Sequence, residues 1–420
     1  MFRRAFVVAA GTLALSACGV SPPPPPPVAR APGVRPGPAG RAASAVAPAG
    51  RGVALLAPLS GGNAERGRVL AQAAQLALGA PGSPGLSVHD TGGTPQGAAQ
   101  AAQAALAGGA GIILGPLTGP ETAAVAPIAQ GAGVAVLAFT SDPAQARPGV
   151  WTLGITPGQQ VRRLVAAAAA QGKTRFAAVL PDSEFGRALG AALSDSAALA
   201  SLAAPDIRFH DGSVGSINAT MRAIADYGGR RGPVDAQIRA ARAARTAEGR
   251  RRAEEIGRST IPPPPMDALL LADTGERLGT IASLLAYYDL DAPAVRVLGP
   301  TLWAADSVRA DADLRGAWFA APDPAARAGF DAQYQAQFGA PAPGLADFAF
   351  DAAAIARVLA GEGGFSAASL TRAEGFAGVN GVLALQPDGR VRRALALFEI
   401  RRGGSEMVEP APDAVGTPGT

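Results

Sequence analysis

The stretch Gly111–Ser141 constrains the fold more than any other part of the 420-residue chain. It reads GIILGPLTGPETAAVAPIAQGAGVAVLAFTS. GIIL is a short apolar run rich in β-branched residues, the composition of a strand buried on both faces. Gly115-Pro116 stops it. Thr118 and Glu121 have the spacing of a capping box, and Pro120 falls near the first helical turn, where its missing N–H breaks no hydrogen bond. A helix of small residues follows, Gly131 and Gly133 end it, and VAVLAF is a second buried strand. A strand–helix–strand crossover of this kind builds a parallel sheet. Thr118, Phe139, Thr140 and Ser141 fall at the strand ends, the edge of an open parallel sheet where ligands bind.

The same alternation runs along most of the chain. VALLA (residues 53–57) is a strand, and the helix after it carries Leu70, Ala73, Ala74 and Ala77 on one face. LSVHD is a second strand, and PQGAAQAAQAALAGG is a helix leading into the crossover. FAAVLP, DIRFH, MDALLLAD and VRVLGP repeat the pattern further on, which predicts a second lobe. Two strand-like runs flank Pro387-Asp388-Gly389, a hairpin signal. With 48% hydrophobic residues the chain is long enough for two cores. The expected fold class is therefore α/β, with two lobes of parallel sheet flanked by helices. The boundaries read as 51–157 with 323–374 for lobe one, and 158–322 with 375–402 for lobe two. Residues 403–420 are Gly-, Pro- and Ser-rich and are expected to be a disordered tail.

Residues 215–265 break the rhythm. Between Arg230 and Arg258 lie nine Arg and four acids, a net of +5, against +4 for the whole chain. Few large apolar residues occur there, so the segment reads as a solvated helical arm inserted in lobe two and ended by Pro262–Pro265. Arg239, Arg242, Arg245, Arg250, Arg251 and Arg252 are its candidate partner-binding residues. A plain solvated excursion is the competing reading.

The first 50 residues have no place in either lobe. Arg3 and Arg4 precede the apolar run AFVVAAGTLAL, and Leu15-Ser16-Ala17-Cys18 closely resembles a bacterial lipobox. Residues 1–17 are then an export signal and Cys18 the lipidated N-terminus of the mature chain. Gly19 is not Asp, so the outer membrane is the expected destination, with the protein facing the periplasm. Residues 18–50, with six prolines from Pro22 to Pro27, form an extended tether. At roughly 3 Å per residue it reaches about 100 Å. Cys18 is the only cysteine, which leaves no intrachain disulfide and no thiolate metal site.

No catalytic signature stands out. The two histidines, His89 and His210, have no ligating neighbours at metal spacing and read as strand-end residues, so neither a metal nor a cofactor is expected. There is no glycine-rich phosphate loop and no nucleophile elbow. Arg supplies nearly all the positive charge, with a single Lys, Lys173, and the Ala-, Gly-, Pro- and Arg-rich composition has the bias of a GC-rich genome. The calculated pI of 9.8 therefore says little about function, and a net charge of +4 argues against a nucleic-acid partner. What the chain offers is a set of polar residues at strand-to-helix turns: Ser60, Thr118, Thr140, Ser141, Asp273, Thr274 and Thr301. Facing each other across two lobes, they would line a cleft for a small polar ligand. Helix capping alone is the alternative role for them.

VALLAPLSGGNAERG, the Gly111–Ser141 stretch, FAAVLPDSEFGRALG and MDALLLAD together resemble the type I periplasmic binding protein fold, in the branch of branched-chain amino-acid-binding proteins. The lipobox, the proline tether, GVWTLGITPGQQV, the Arg-rich arm and LLAYYDLDAPAVRVLGPTLW more narrowly resemble the penicillin-binding protein activator lipoproteins, a family similar to the C-terminal domain of LpoA. That resemblance implies a non-enzymatic regulator of a peptidoglycan synthase, with a class A penicillin-binding protein as partner and a lipid anchor in the membrane. The broader resemblance implies the alternative, a substrate-binding lipoprotein of an ABC importer. In amino-acid-binding relatives, hydroxyls of lobe one hold the ligand carboxylate, which maps onto Thr118 and Thr140-Ser141. An aromatic hydroxyl and an acid of lobe two hold the ammonium; here the matching turns carry Asp273-Thr274 and Thr301, with no acid after LGP.

Overall fold

The computed structural model describes residues 52–258, 261–305 and 312–412. The expected signal, Cys18 and the proline tether lie outside the described residues, as does the end of the chain from 413. The first sheet is built from the alternation read in the sequence. Strand β1 (Gly52–Ala57) leads through α1 (Ala64–Leu78) to β2 (Leu86–Asp90), and α2 (Pro95–Ala107) leads to β3 (Ala110–Leu114). Helix α3 (Gly119–Gly131), β4 (Ala135–Ala138) and the short β5 (Val150–Thr152) complete it. The strands pair in parallel, in the order β2-β1-β3-β4-β5. β3 and β4 are buried along their whole length, as their unbroken apolar runs require. The Thr118–Glu121 capping box is formed, with Pro120 in the first turn.

The chain then crosses to a second sheet. Helix α4 (Pro157–Ala170) begins it, followed by β6 (Phe176–Pro181), α5 (Glu184–Leu199), β7 (Asp206–His210) and α6 (Val214–Ile224). Helices α7 (Tyr227–Ala243) and α8 (Ala247–Gly257) stand between α6 and β8 (Ala268–Leu271). Helix α9 (Gly275–Leu285), β9 (Arg296–Gly299) and β10 (Trp318–Ala321) follow. The chain returns to the first core as α10 (Pro324–Phe338), α11 (Ala346–Gly361) and α12 (Ala367–Leu370), then forms a small antiparallel sheet, β11 (Phe376–Gly378), β12 (Gly381–Leu385) and β13 (Val391–Arg393). It ends in the second sheet with β14 (Ala396–Arg401) and β15 (Gly404–Glu409). That sheet runs β15-β14-β10-β9-β8-β6-β7, parallel except at β14 and β15.

Apolar clusters cover both faces of each sheet. On the first, Leu55, Leu70, Ile112 and Leu137 pack with Ile355 and Leu359 of α11, while Ala54, Ile113 and Val136 meet α2 and α3 on the other face. On the second, Val179, Leu269, Leu271 and Phe319 face α6 and α9, and Ala178, Leu180 and Leu270 face α4 and α5. Each fully buried Leu or Ile contributes about 1.5–3 kcal/mol.

Three sequence expectations need correcting. Phe376, Leu383, Leu385 and Val391 join the first core, so the last crossing falls near residue 394 and not at 375. The small sheet brings its apolar side chains to α11, and only β14 reaches β10. Second, residues 404–409 are not a loose tail: they pair with β14, and Glu406 and Glu409 form ion pairs with Arg401 and Arg163. Third, the arm is shorter than 215–265, because Ile217, Met221 and Ile224 of α6 are buried in the second core. What stands clear of the core is the hairpin of α7 and α8.

A charged network sits where the crossings meet. Arg393 is fully buried; it pairs with Asp351 of α11 at 3.3 Å and donates to the main-chain oxygen of Leu153 at 3.1 Å. Asp351 also accepts from the Val379 N–H at 2.6 Å. One turn earlier, Asp347 accepts from Asn380 at 2.8 Å and pairs with Arg327. Burial pushes the Asp347 carboxyl up to about 6, against the pull of Asn380 and Arg327, and burial likewise raises Asp351. Replacing Arg393 by Met strands the Asp351 carboxylate, and a loss of about 3–5 kcal/mol in urea unfolding is expected. The double variant Arg393→Met/Asp351→Leu is expected to lose less than Arg393→Met alone. Because the folded pKa of Asp347 lies above the unfolded value, its contribution is fully present below about pH 4 and is lost as pH rises through about 6. A carboxyl raised this far from its ordinary value corresponds to about 3 kcal/mol. Unfolding measured from pH 4 to pH 7 is expected to show this decline, and Asp347→Asn to flatten it.

Candidate functional site

Parallel pairing places the ends of β1, β2, β3 and β4 along one edge of the first sheet. Ser60 lies there, exposed, with its backbone N–H donating to the Asp90 carboxylate at 3.2 Å. That carboxylate also takes the N–H groups of Leu59 and Gly92; the Ser60 hydroxyl and these backbone donors hold it below the usual carboxylate range, against the opposing effect of burial. Thr118 caps α3, and its hydroxyl donates to Glu121 at 2.7 Å. Glu121 is fully buried and also takes the Thr91 hydroxyl at 2.6 Å. Thr140 is buried and accepts from the Asp142 N–H at 3.1 Å. Phe139 is buried in the core, with Gly115 against its ring, and does not line the edge. Ser141 is exposed and its hydroxyl has no partner among the described residues. Of the lobe-one candidates, Ser60 and Ser141 are exposed, although the Ser60 hydroxyl serves Asp90, whereas Thr118 and Thr140 are bonded to neighbours in their own turns.

The ends of β7, β6, β8 and β9 form the matching edge of the second sheet. Asp273, two residues past β8, is not free. His210, at the end of β7, meets its carboxylate from Nε2 at 3.0 Å, and both side chains are fully buried. The Gly212 N–H donates to His210 Nδ1 at 3.1 Å, so the ring donates to Asp273 through Nε2. Arg277 of α9 holds the other carboxylate oxygen at 3.2 Å. Trp303, fully buried, donates from its indole to the Asp273 main-chain oxygen at 3.0 Å. Its ring lies so close to β9 that a Cβ at Gly299 would sit 2.1 Å away, which is why only Gly fits there.

Thr301 is engaged as well. Its hydroxyl donates to the Ala320 main-chain oxygen at 2.6 Å, and its N–H donates to the Gln160 side chain at 2.7 Å. Thr274 precedes α9, exposed, and its side chain makes no capping bond. No hydrogen bond or ion pair joins the two edges among the described residues. Two surface hollows, of about 410 and 490 Å³, lie away from the expected residues. The larger is lined by Asn63, Glu65, Arg66 and Val69 of the first lobe with Pro343 and Leu345. His210, Gln160 and Trp303 escaped the sequence reading because each acts through a partner distant in the chain.

The six arm arginines are where the sequence put them, on α7, α8 and their connection, and all are exposed. The hairpin is narrow: a Cβ at Gly249 would lie 2.5 Å from the Ala241 carbonyl, so α8 approaches α7 closely. Its root is held by Arg230, which is buried and donates to the main-chain oxygens of Ala225, Pro262 and Tyr288 and to the Asp289 carboxylate. No helix among the described residues is long and apolar enough to cross a membrane. No group of three or more potential metal ligands occurs among them either.

Comparison with known proteins agrees with this architecture. A putative branched-chain amino acid ABC transporter protein from Rhodospirillum rubrum superposes with a TM-score of 0.64 at 19% identity, over 85% of this chain and 99% of that one. Full-length LpoA from Haemophilus influenzae superposes with a TM-score of 0.61 at 17% identity, over 86% of this chain but only 59% of its own length. A solute binding protein from Rhodopseudomonas palustris, in complex with 3,4-dihydroxybenzoic acid, gives 0.54 at 18% identity, over 87% of this chain and 98% of that one. At these identities the likeness is one of fold. No curated protein sequence matches the chain. The model of one family, described as periplasmic binding protein, matches residues 52–405, and the chain belongs to that family.

Proposed function

We propose that the protein is a non-enzymatic lipoprotein, anchored through Cys18 in the outer membrane and facing the periplasm, that binds and stimulates a class A penicillin-binding protein. The observation that carries this reading is the state of Asp273. It is the acid best placed to hold a ligand ammonium, and His210 and Arg277 already occupy its two oxygens. Thr118, Thr140 and Thr301 also turn their hydroxyls to neighbouring protein groups. A binding-protein scaffold whose clamp residues are committed internally suits a partner-binding role better than amino-acid capture. The likeness to the LpoA C-domain, described as a regulator of PBP1A, supports the same choice. The proline tether would supply the reach from membrane to synthase.

Solute binding for an ABC importer is the second reading. It rests on Ser60, Ser141 and Thr274, which remain exposed at the strand ends. A ligand using them would lack the ammonium contact.

Pull-down of the detergent-solubilised protein is expected to enrich class A synthases; no enrichment, with unchanged glycan crosslinking in a deletion strain, would sink the activator reading. A thermal-shift screen separates the second reading. A bound ligand at 100 times its Kd stabilises by about 2.7 kcal/mol, and no shift is expected from any of the common amino acids. Asp273→Ala tests the clamp itself. It is expected to lower stability by about 1–3 kcal/mol, because His210 and Arg277 lose their acceptor; an unchanged melting temperature would argue that the site is built for a ligand.

A further inference from the structure

The α7–α8 hairpin concentrates exposed positive charge. Arg250, Arg251 and Arg252 are consecutive within the first two turns of α8, which starts at Ala247. Arg242 lies in the last turn of α7, and Arg245, in the connection, has a left-handed backbone (φ 53°) that non-glycine residues rarely adopt. With Arg239 these six cations crowd the distal part of one slender element. None of the six has an ion-pair partner among the described residues, although arginines elsewhere in the fold are widely paired, among them Arg163, Arg175, Arg230, Arg327 and Arg393. Glu248, Glu254 and Glu255 share α8 with three of these arginines, yet none of them closes an ion pair among the described residues.

Resting on the partner-binding reading above, we propose that this hairpin is a rigid basic prong that docks on an acidic protein surface. Three observations select that occupant. The root is fixed by four Arg230 hydrogen bonds and by the stacked Tyr227 and Tyr287 rings, so the cations are presented without ordering a flexible loop. No large apolar side chain is exposed between Tyr227 and Gly257, and a helix that inserts in a bilayer surface needs such a face. The rest of the chain sums to about −1, since the segment from Arg230 to Arg258 carries +5 and the whole chain +4, so a second copy offers no net acidic charge. A carboxylate-rich protein surface fits, because planar guanidinium groups bind carboxylates in pairs of parallel hydrogen bonds.

The test uses the full chain with Cys18→Ser, so that no lipid contributes, beside the same chain carrying Arg250→Glu, Arg251→Glu and Arg252→Glu. The probes are class A synthase ectodomains of the same organism, immobilised poly-L-glutamate, and vesicles of phosphatidylglycerol and phosphatidylethanolamine at a one-to-three ratio. The parent is expected to bind a synthase ectodomain with an affinity that falls steeply with salt. The reversed variant is expected to lose at least tenfold and to show a flatter salt dependence, with an unchanged melting temperature. Equal synthase binding by both chains overturns the prong and leaves the activator reading standing. If the parent binds no synthase, that reading fails, and poly-glutamate decides the prong: binding abolished by the reversal supports it, and no binding overturns it. Vesicle binding that the reversal abolishes, without binding to either protein probe, assigns the hairpin to a membrane surface and overturns the proposal.

Discussion

The two-lobed architecture depends on one buried guanidinium. The chain passes between its sheets three times, near residues 154, 322 and 394, and apolar packing fills each lobe separately. Arg393 stands beside the third crossing and bonds to Leu153 beside the first, while Asp351 of α11 neutralises it. A charge with no exposed surface survives only when such partners surround it. Asp347, Asn380 and Arg327 extend the network along the first turns of α11, so the small β11–β13 sheet is tied to the same point. The helix, the small sheet and two crossings thus share one set of charges, and none can shift without breaking bonds to the others.

A second mechanical link runs through α9. Its N-terminal turn holds Thr274 and Arg277 on the sheet edge, where Arg277 completes the enclosure of Asp273. The turn after its C-terminus holds Tyr288 and Asp289, which receive Arg230 at the root of the hairpin. One helix of 11 residues, about 16 Å long, therefore borders the candidate cleft at one end and braces the arm at the other. Tyr288 adds a hydrogen bond to Asn218 of α6, so the root rests on the second core and not on solvent-exposed loops.

Much of this was legible in the sequence, and what was legible is local. Unbroken runs such as GIIL and MDALLLAD marked strands buried on both faces, and the stripe of Leu70, Ala73, Ala74 and Ala77 marked the face of α1 that is buried. The Thr118–Glu121 cap was visible because its partners are three residues apart. The second half of the site was not. His210 and Asp273 are 63 residues apart, and they meet across the end of β6, which lies between β7 and β8 in the sheet. Alternation of strands and helices predicts that a parallel sheet forms; it does not order the strands. Gly404–Glu409 was hidden for a different reason: a Gly-Gly pair before a polar tail looks like a loose end until β14 offers it an unpaired edge.

The state of Asp273 bears on the proposed choice of a protein partner over a small ligand. An acid at that turn can hold an ammonium only if its oxygens are free and its surroundings desolvated. Here the surroundings are desolvated, but one oxygen faces His210 Nε2 and the other Arg277 Nε, and the indole of Trp303 occupies the main-chain oxygen beside them. An ammonium reaching this carboxylate would have to displace a buried imidazole or compete with a guanidinium already carrying the complementary charge. Either exchange sacrifices a made hydrogen bond for a new one, so little net affinity remains. The same groups, satisfied by each other, instead hold the ends of β7, β8 and β9 in fixed relation. Such a brace needs only residues that approach from within the lobe, and it leaves the outer surface, the hairpin included, for the proposed partner.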